Sequence, residues 1–274
     1  MKVEIIHSEN PYVMDYVAER LKMPALTRKN ADFIEAVVRL DSNYAKDFEI
    51  HEPSENYDPE ENAESSHGKY CGSTAYWFSE LMKTNCNFRK CILGAVIAID
   101  GTNTTHLEAS YDGRKTMRNI ICDCCNDYHD LVRMLEVPFK RDNHNHLISL
   151  LNQKTIAKKD DGPRYNISFA TKFCSYAAFF LNANASYSKY DNIVSDALPD
   201  YVNEYLGLKK NITEYKINEY QRREMNDKEN FQYRLDVYEK YSNSIKSILD
   251  MLQEKGVIVT KDEFDHIVWY GLKG

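Results

Sequence analysis

The sequence predicts a mostly α-helical, two-lobed protein with one small β element in its first half. Three observations carry that expectation. Apolar residues recur at helical spacing along most of the 274-residue chain. Only 10 glycines and 7 prolines interrupt it, too few for a loop-rich or low-complexity class. An acidic, proline-containing stretch at 47–69 breaks the helical pattern once. At roughly 100–200 residues per domain the length suits one large domain or two small ones. The expected division is an N-terminal lobe at 1–140, with the acidic loop and a β-hairpin. A helical lobe follows at 141–274, with a helix-hairpin-helix and the C-terminal helices.

Each element has its own signal. Val13, Val17 and Leu21 lie four apart, and Phe33, Ile34, Val37 and Val38 repeat the stripe. Glu49, Glu52, Glu55, Asp58, Glu60, Glu61 and Glu64 then mark a solvated loop. Trp77, Phe78, Leu81 and Met82 share one side of a helix. Cys91–Ile99 and Thr104–Tyr111 flank Asp100-Gly101, a hairpin signal. From Asn119 to Leu135 one amphipathic helix is expected, closed by Pro138. His146–Ala157 reads as another. Ser168 can cap a helix ending at Leu181, and Asp191 can cap one interrupted by Pro199. Residues 212–255 read as charged, tyrosine-rich helices. Thr260-Lys261-Asp262-Glu263 has the form of a capping box before a last helix.

Composition narrows the function classes. The net charge is −7, which disfavours a general nucleic-acid coat and confines any such site to a local basic patch. No apolar run approaches the ~20 residues of a membrane helix, so no membrane partner is expected. The first ten residues, with Lys2, Glu4, His7 and Glu9, do not read as a signal peptide. Seven irregularly spaced cysteines suit free thiols in a reducing, cytoplasmic compartment.

Two constellations invite a zinc reading. Cys122-Asp123-Cys124-Cys125 precedes His129, but helical register puts Cys124 and Cys125 on the apolar face and Cys122 elsewhere, which suits core cysteines better. His106 and Glu108, with Cys122 and Cys125 downstream, loosely match the ligand order of zinc-dependent nucleobase deaminases. No proline precedes Cys122, and the separation is short. The deaminase is kept as an alternative enzyme class; otherwise no metal and no cofactor is expected.

The strongest signal lies between Lys140 and Lys172. Seven basic and three acidic residues give this stretch a net +4 within an acidic chain, as a local phosphate-contacting surface requires. The order expected is helix, polar turn, helix, and the second helix opens with free backbone N–H groups suited to a phosphate. Lys158, Lys159, Gly162, Arg164, Tyr165 and Asn166 are the candidate nucleic-acid contacts. Lys172 is the only charge from Phe169 to Leu181. An ammonium on so apolar a helix is expected to be desolvated, the condition that makes a lysine amine nucleophilic. Its ordinary alternative is a lysine that snorkels to solvent. Asp191 follows 19 residues later, where a helix N-terminus would hold its carboxylate ionised.

At these residues the chain resembles the helix-hairpin-helix DNA glycosylases. A lysine after a hairpin turn, followed 19 residues later by Asp191-Asn192-Ile193-Val194, is similar to their 8-oxoguanine glycosylase branch. Asn166-Ile-Ser-Phe-Ala-Thr-Lys172 and Tyr190-Asp191 resemble a group of 8-oxoguanine-glycosylase-like bacterial proteins, as does the C-terminal set Asp265, Trp269 and Gly271–Lys273. The resemblance covers about 145–206 and 257–274. The family hairpin usually reads Leu-Pro-Gly-Val-Gly; here Gly162-Pro163-Arg164-Tyr165-Asn166 stands, with one glycine instead of two.

The resemblance implies a two-lobed glycosylase-like fold with a cleft between the lobes. It implies excision of a damaged or modified base flipped out of duplex DNA, with or without an AP-lyase step, in repair or in defence against phage. Lys172 would attack the sugar C1′, while Asp191 would stabilise the developing positive charge and shuttle protons. Lys158, Lys159 and Arg164 would hold phosphates, and Tyr165 would wedge into the gap left by the base. The further alternative is a catalytically inactive DNA-binding or defence module on the same fold.

Overall fold

The computed structural model describes residues 48–272, except 65–68, 104, 157, 159–163, 212–213, 218–224 and 255–259. The helices expected before residue 47 lie outside the described residues. The chain divides into two compact units, one of them Asp47–Tyr187, the other including Ser188–Gly274. Among the described residues there are ten α-helices and one two-stranded sheet, so the protein is mostly α.

The first unit contains α1 (Pro59–Asn62), α2 (Thr74–Leu81) and α3 (Phe88–Asn103). Next come α4 (Gly113–Cys124), α5 (Tyr128–Leu135) and α6 (Leu147–Leu151). The strands β1 (Lys154–Thr155) and β2 (Arg164–Tyr165) pair antiparallel, Lys154 opposite Tyr165, and α7 (Ile167–Phe180) follows. Two helices form the centre. α3 packs against α1, α2, α4 and α7; α7 packs against α2, α3, α5 and α6.

The hairpin expected around Asp100-Gly101 is not formed. Residues 91–100 are all buried and belong to α3. A helix covered on every side loses its polar stripe and reads like a buried strand. Asp100 sits near the end of α3 as a buried acceptor. It takes hydrogen bonds from Thr105 Oγ1 (2.5 Å), Leu107 N (2.9 Å) and Arg114 Nε (2.7 Å). Burial alone would raise its carboxyl, but hydrogen bonding with the Glu108 carboxyl first, then the Thr105 hydroxyl, the Arg114 guanidinium and Leu107 N, hold it below the usual carboxylate range. Asp-Gly here ties a loop to a helix end.

Gly94 lets Trp77 lie directly on α3. A Cβ at Gly94 would stand 2.2 Å from Trp77 Cδ2, and the indole is fixed by its Nε1–H donating to the Cys71 carbonyl at 2.6 Å. Gly94→Ala is therefore expected to destabilise by about 1–3 kcal/mol through overpacking. Gly101→Ala, in the same helix with nothing within 4 Å of the added carbon, is expected to stabilise by ~0.5–1 kcal/mol. Urea melts of the two variants check this; equal shifts would refute the packing account.

The expected helix from Asn119 to Leu135 is two helices. α4 ends at Cys124, Cys125 is extended, and Asp127 caps α5 by accepting from Asp130 N at 2.9 Å. Cys125 is buried as expected, but Cys124 is exposed, because the helix ends there and its apolar face does not continue.

The expected helix His146–Ala157 stops at Leu151. Lys154 and Thr155 form a strand instead, a conformation that the β-branched Thr155 favours. His146 caps α6 with its ring. Nδ1 accepts from Ile148 N at 3.0 Å, so the proton lies on Nε2, which donates to the Val137 carbonyl at 3.1 Å. Burial drives its pKa from 6.5 down to about 4. Below pH 6.5 the unfolded chain binds a proton here that the folded chain refuses until about pH 4. Stability is therefore full above pH 6.5 and falls by roughly 3 kcal/mol between those limits. His146→Asn keeps a capping acceptor and does not titrate. Its stability should change less with pH over that window in denaturant titrations; an unchanged slope would refute the assignment.

The second unit contains α8 (Asn192–Leu206), α9 (Asp227–Glu254) and α10 (Lys261–Leu272), each packed against the other two. α9 buries Leu235, Tyr238, Tyr241, Ile245, Ile248 and Leu252, a stripe at steps of three and four. Tyr201 of α8 meets Phe264 of α10 edge to face, with ring centroids 5.4 Å apart. α8 runs on through Pro199. Gly207, at φ 64°, closes it in the left-handed conformation that glycine adopts freely. The capping box at Thr260 is formed: Thr260 N donates to Glu263 Oε2 (2.7 Å) and Glu263 N to Thr260 Oγ1 (3.2 Å).

Candidate functional site

The strands β1 and β2 pair as a ribbon and flank the turn expected between the two helices, most of which lies outside the described residues. Thr155 is the inward residue of β1: its hydroxyl lies 3.0 Å from Ser110 Oγ, and Asn166 Nδ2 reaches it at 3.3 Å. Tyr111 N donates to the Ile156 carbonyl (2.8 Å), and Lys158 N to the Ala109 carbonyl (2.9 Å). These bonds lash the ribbon to the turn that precedes α4. A small β element thus exists among the described residues, but at 154–155 and 164–165 rather than 91–111.

The ribbon gathers several of the candidate contacts. Lys158 is exposed, its Nζ 3.5 Å from Glu64 Oε2. Arg164 and Tyr165 are half-buried on β2. Asn166 behaves differently. It is only 7% exposed, and its side chain donates to the Gln153 carbonyl at 2.9 Å and reaches back to Thr155. It staples the ribbon to the start of α7. Asn166 occupies the N-cap position that the sequence suggested for Ser168, with no side-chain cap bond. Lys159 and Gly162 lie outside the described residues.

Two further side chains were not singled out from the sequence. Tyr111 is 59% exposed and Ile156 69% exposed, and the bond between their backbones sets them side by side. Ile156 falls inside the helix expected from His146 to Ala157, but it follows β1 outside any helix or strand and is exposed.

Lys172 lies on α7, the central apolar helix, and is 7% exposed. Burial of the residue, expected from its neighbours in sequence, is therefore found. Its Nζ donates to the carbonyl of Asn103 at 3.2 Å. Asn103 is the last residue of α3, where unpaired carbonyls concentrate partial negative charge and favour a cation. Tyr176 OH, one turn on, meets Asn103 Oδ1 at 3.4 Å. Lys172 thus joins α7 to the C-terminus of α3.

Asp191 is the N-cap of α8 in the second unit. Its Oδ1 accepts from Ile193 N at 2.9 Å, so the cap expected at Asp191 is formed. Of the C-terminal set, Asp265 is buried and Trp269 half-buried on α10; Gly271 falls in its last turn, and Lys273 lies outside the described residues. Burial first, then the Asp265 and Asp191 carboxylates, push the Tyr241 phenol well above its usual range. Tyr241 therefore stays a hydrogen-bond donor.

The deaminase arrangement is not assembled. His106 Nδ1 lies 3.5 Å from Glu108 Oε1, and burial pushes the Cys125 thiol up to about 12. Its Sγ contacts Met134 Sδ at 3.3 Å. Among the described residues no three His, Cys, Asp or Glu side chains converge as metal ligands. No described helix is long and apolar enough to cross a membrane. No protein-family model, curated protein or solved structure matches this chain.

Proposed function

We propose that this chain is a DNA N-glycosylase of the helix-hairpin-helix type, with Lys172 as its nucleophile. The observation that supports it most is Lys172 itself: a buried amine on a helix otherwise free of charge. The helix directly follows a ribbon bearing Lys158 and Arg164. In this reading the ribbon contacts phosphates, which fix register without reading bases. The target nucleotide is flipped out, since its C1′ is shielded within the stack.

The amine attacks C1′, the bond from C1′ to the base breaks, and the base leaves with a proton. Opening of the sugar ring gives an iminium between C1′ and the lysine nitrogen. Loss of a C2′ proton breaks the C3′–O bond, the phosphate leaving with that oxygen, and hydrolysis of the iminium by water returns the free lysine and completes the lyase step. Attack requires the amine to lose its proton and let go of the Asn103 carbonyl. The Asp191 carboxylate stabilises the positive charge that develops on the sugar. Repair and defence against phage DNA are both settings for such chemistry.

A second reading, a DNA-binding module without catalysis, is favoured by the bond from Lys172 to Asn103, which gives the lysine a structural task. The experiment is release of free base from duplexes that each carry one oxidised, alkylated or deaminated base. Release from one class supports the glycosylase. Tight binding without release from any supports the module, and neither binding nor release refutes both.

A further inference from the structure

Ser188, Lys189 and Tyr190 form neither helix nor strand, yet all three are buried. A buried irregular segment must find partners for its backbone polar groups. Two hydroxyls of α9 provide them. Tyr238 OH donates to the Ser188 carbonyl at 3.0 Å, and Tyr241 OH to the Lys189 carbonyl at 2.8 Å. The two tyrosines lie three residues apart, on one face of the helix. Ser242 Oγ reaches Ser188 Oγ at 3.5 Å.

The side chains of the segment are tied as well. The Lys189 ammonium pairs with Asp262 of α10 at 2.5 Å. Tyr190 OH donates to the Tyr215 carbonyl (3.1 Å) and accepts from Ile217 N (3.0 Å). Three successive residues are thus each anchored to another part of the second unit, and the next residue is Asp191. Phenylalanine at 238 and 241 would fill the same space. What the hydroxyls add is a fixed backbone leading into the α8 cap.

We infer that Tyr241 and Tyr238 are positioning residues for Asp191, holding the backbone from which its carboxylate is aimed. This inference rests on the reading of Asp191 as the charge-stabilising carboxylate. Misplacing such a group by about 1 Å is enough to slow chemistry by up to ~100-fold.

Tyr241→Phe keeps the ring and removes the donor. Single-turnover base release is expected to slow about tenfold with duplex affinity unchanged. In an Asp191→Asn background the same substitution should add nothing, because it acts through that carboxylate. Hydrogen exchange on the free protein should show the Ile193 amide losing protection about tenfold while α9 amides keep theirs. Tyr238→Phe, which removes the neighbouring bond, should act in the same direction and serves if Tyr241→Phe does not fold. Equal slowing in both backgrounds, or wild-type protection at Ile193, overturns the inference. A wild-type protein that releases no base refutes the glycosylase reading separately, and the Ile193 exchange then decides the positioning role alone.

Discussion

Lys172→Gln is expected to abolish base release and strand cleavage while leaving the fold and duplex affinity intact. Glutamine has no basic amine, so no iminium can form. Its amide N–H still replaces the donor to the Asn103 carbonyl, so melting should shift by no more than a few degrees, about what 1 kcal/mol produces in a domain this size. Lys172→Met separates the two tasks of the residue. It fills similar volume but offers no donor, leaving the end of α3 without that bond at a cost of about 1–3 kcal/mol. If Lys172 is purely structural, Gln should behave as wild type in every DNA assay, and Met should differ only in stability. Calorimetry and gel-resolved base release on the same preparations distinguish these outcomes.

Asp191→Asn is expected to slow base release by at least ~100-fold with almost no change in melting. Asparagine caps a helix about as well as aspartate, so the bond to Ile193 N is kept. It removes the negative charge, and the loss of one preorganised electrostatic group is on that scale. Asp191→Ala should lose the same rate and also ~0.5–2 kcal/mol of stability, because the cap goes with it. If Asp191 is a cap alone, Asn is silent in both measurements, and the spacing from Lys172 is coincidence.

Much of the helical architecture was legible in the sequence because it is written in local chemistry. The cap at Asp191, the box at Thr260 and Glu263, and the tyrosine stripe of α9 each need only a few neighbouring residues. What the sequence did not convey depends on long-range burial. The run around Cys91–Ile99 has the look of a strand because α3 is covered on all sides, and its Asp100-Gly101 has the look of a turn because the acceptors' partners lie at Thr105, Leu107 and Arg114. The strands at 154–155 and 164–165 escape a local reading for a similar reason: Thr155 meets Ser110 Oγ, and the neighbouring Ile156 and Lys158 bond to the backbones of Tyr111 and Ala109, all more than forty residues earlier in sequence.

The candidate site divides in the same way. Burial of Lys172 follows from the apolar residues beside it on α7, and Lys172 is buried there. The carbonyl that receives its ammonium belongs to Asn103, 69 residues away, and nothing local announces it. Asn166 was counted among phosphate contacts from its place before a helix, but Thr155 and the Gln153 carbonyl turn its side chain inward. Tyr238 and Tyr241 fall in the stretch that reads only as charged, tyrosine-rich helices; that they are buried, with hydroxyls bonded to the Ser188 and Lys189 carbonyls, is revealed by the packed unit alone.

The central claim is that the Lys172 amine forms a covalent bond to the sugar. Reduction with sodium borohydride during incubation with duplexes carrying abasic sites or damaged bases tests it most directly. Reduction turns the iminium into a stable amine. A protein–DNA adduct whose tryptic peptide carries the modification on Lys172 is expected, and none with Lys172→Gln. No adduct on any duplex, or an adduct on another lysine that persists in Lys172→Gln, would contradict it.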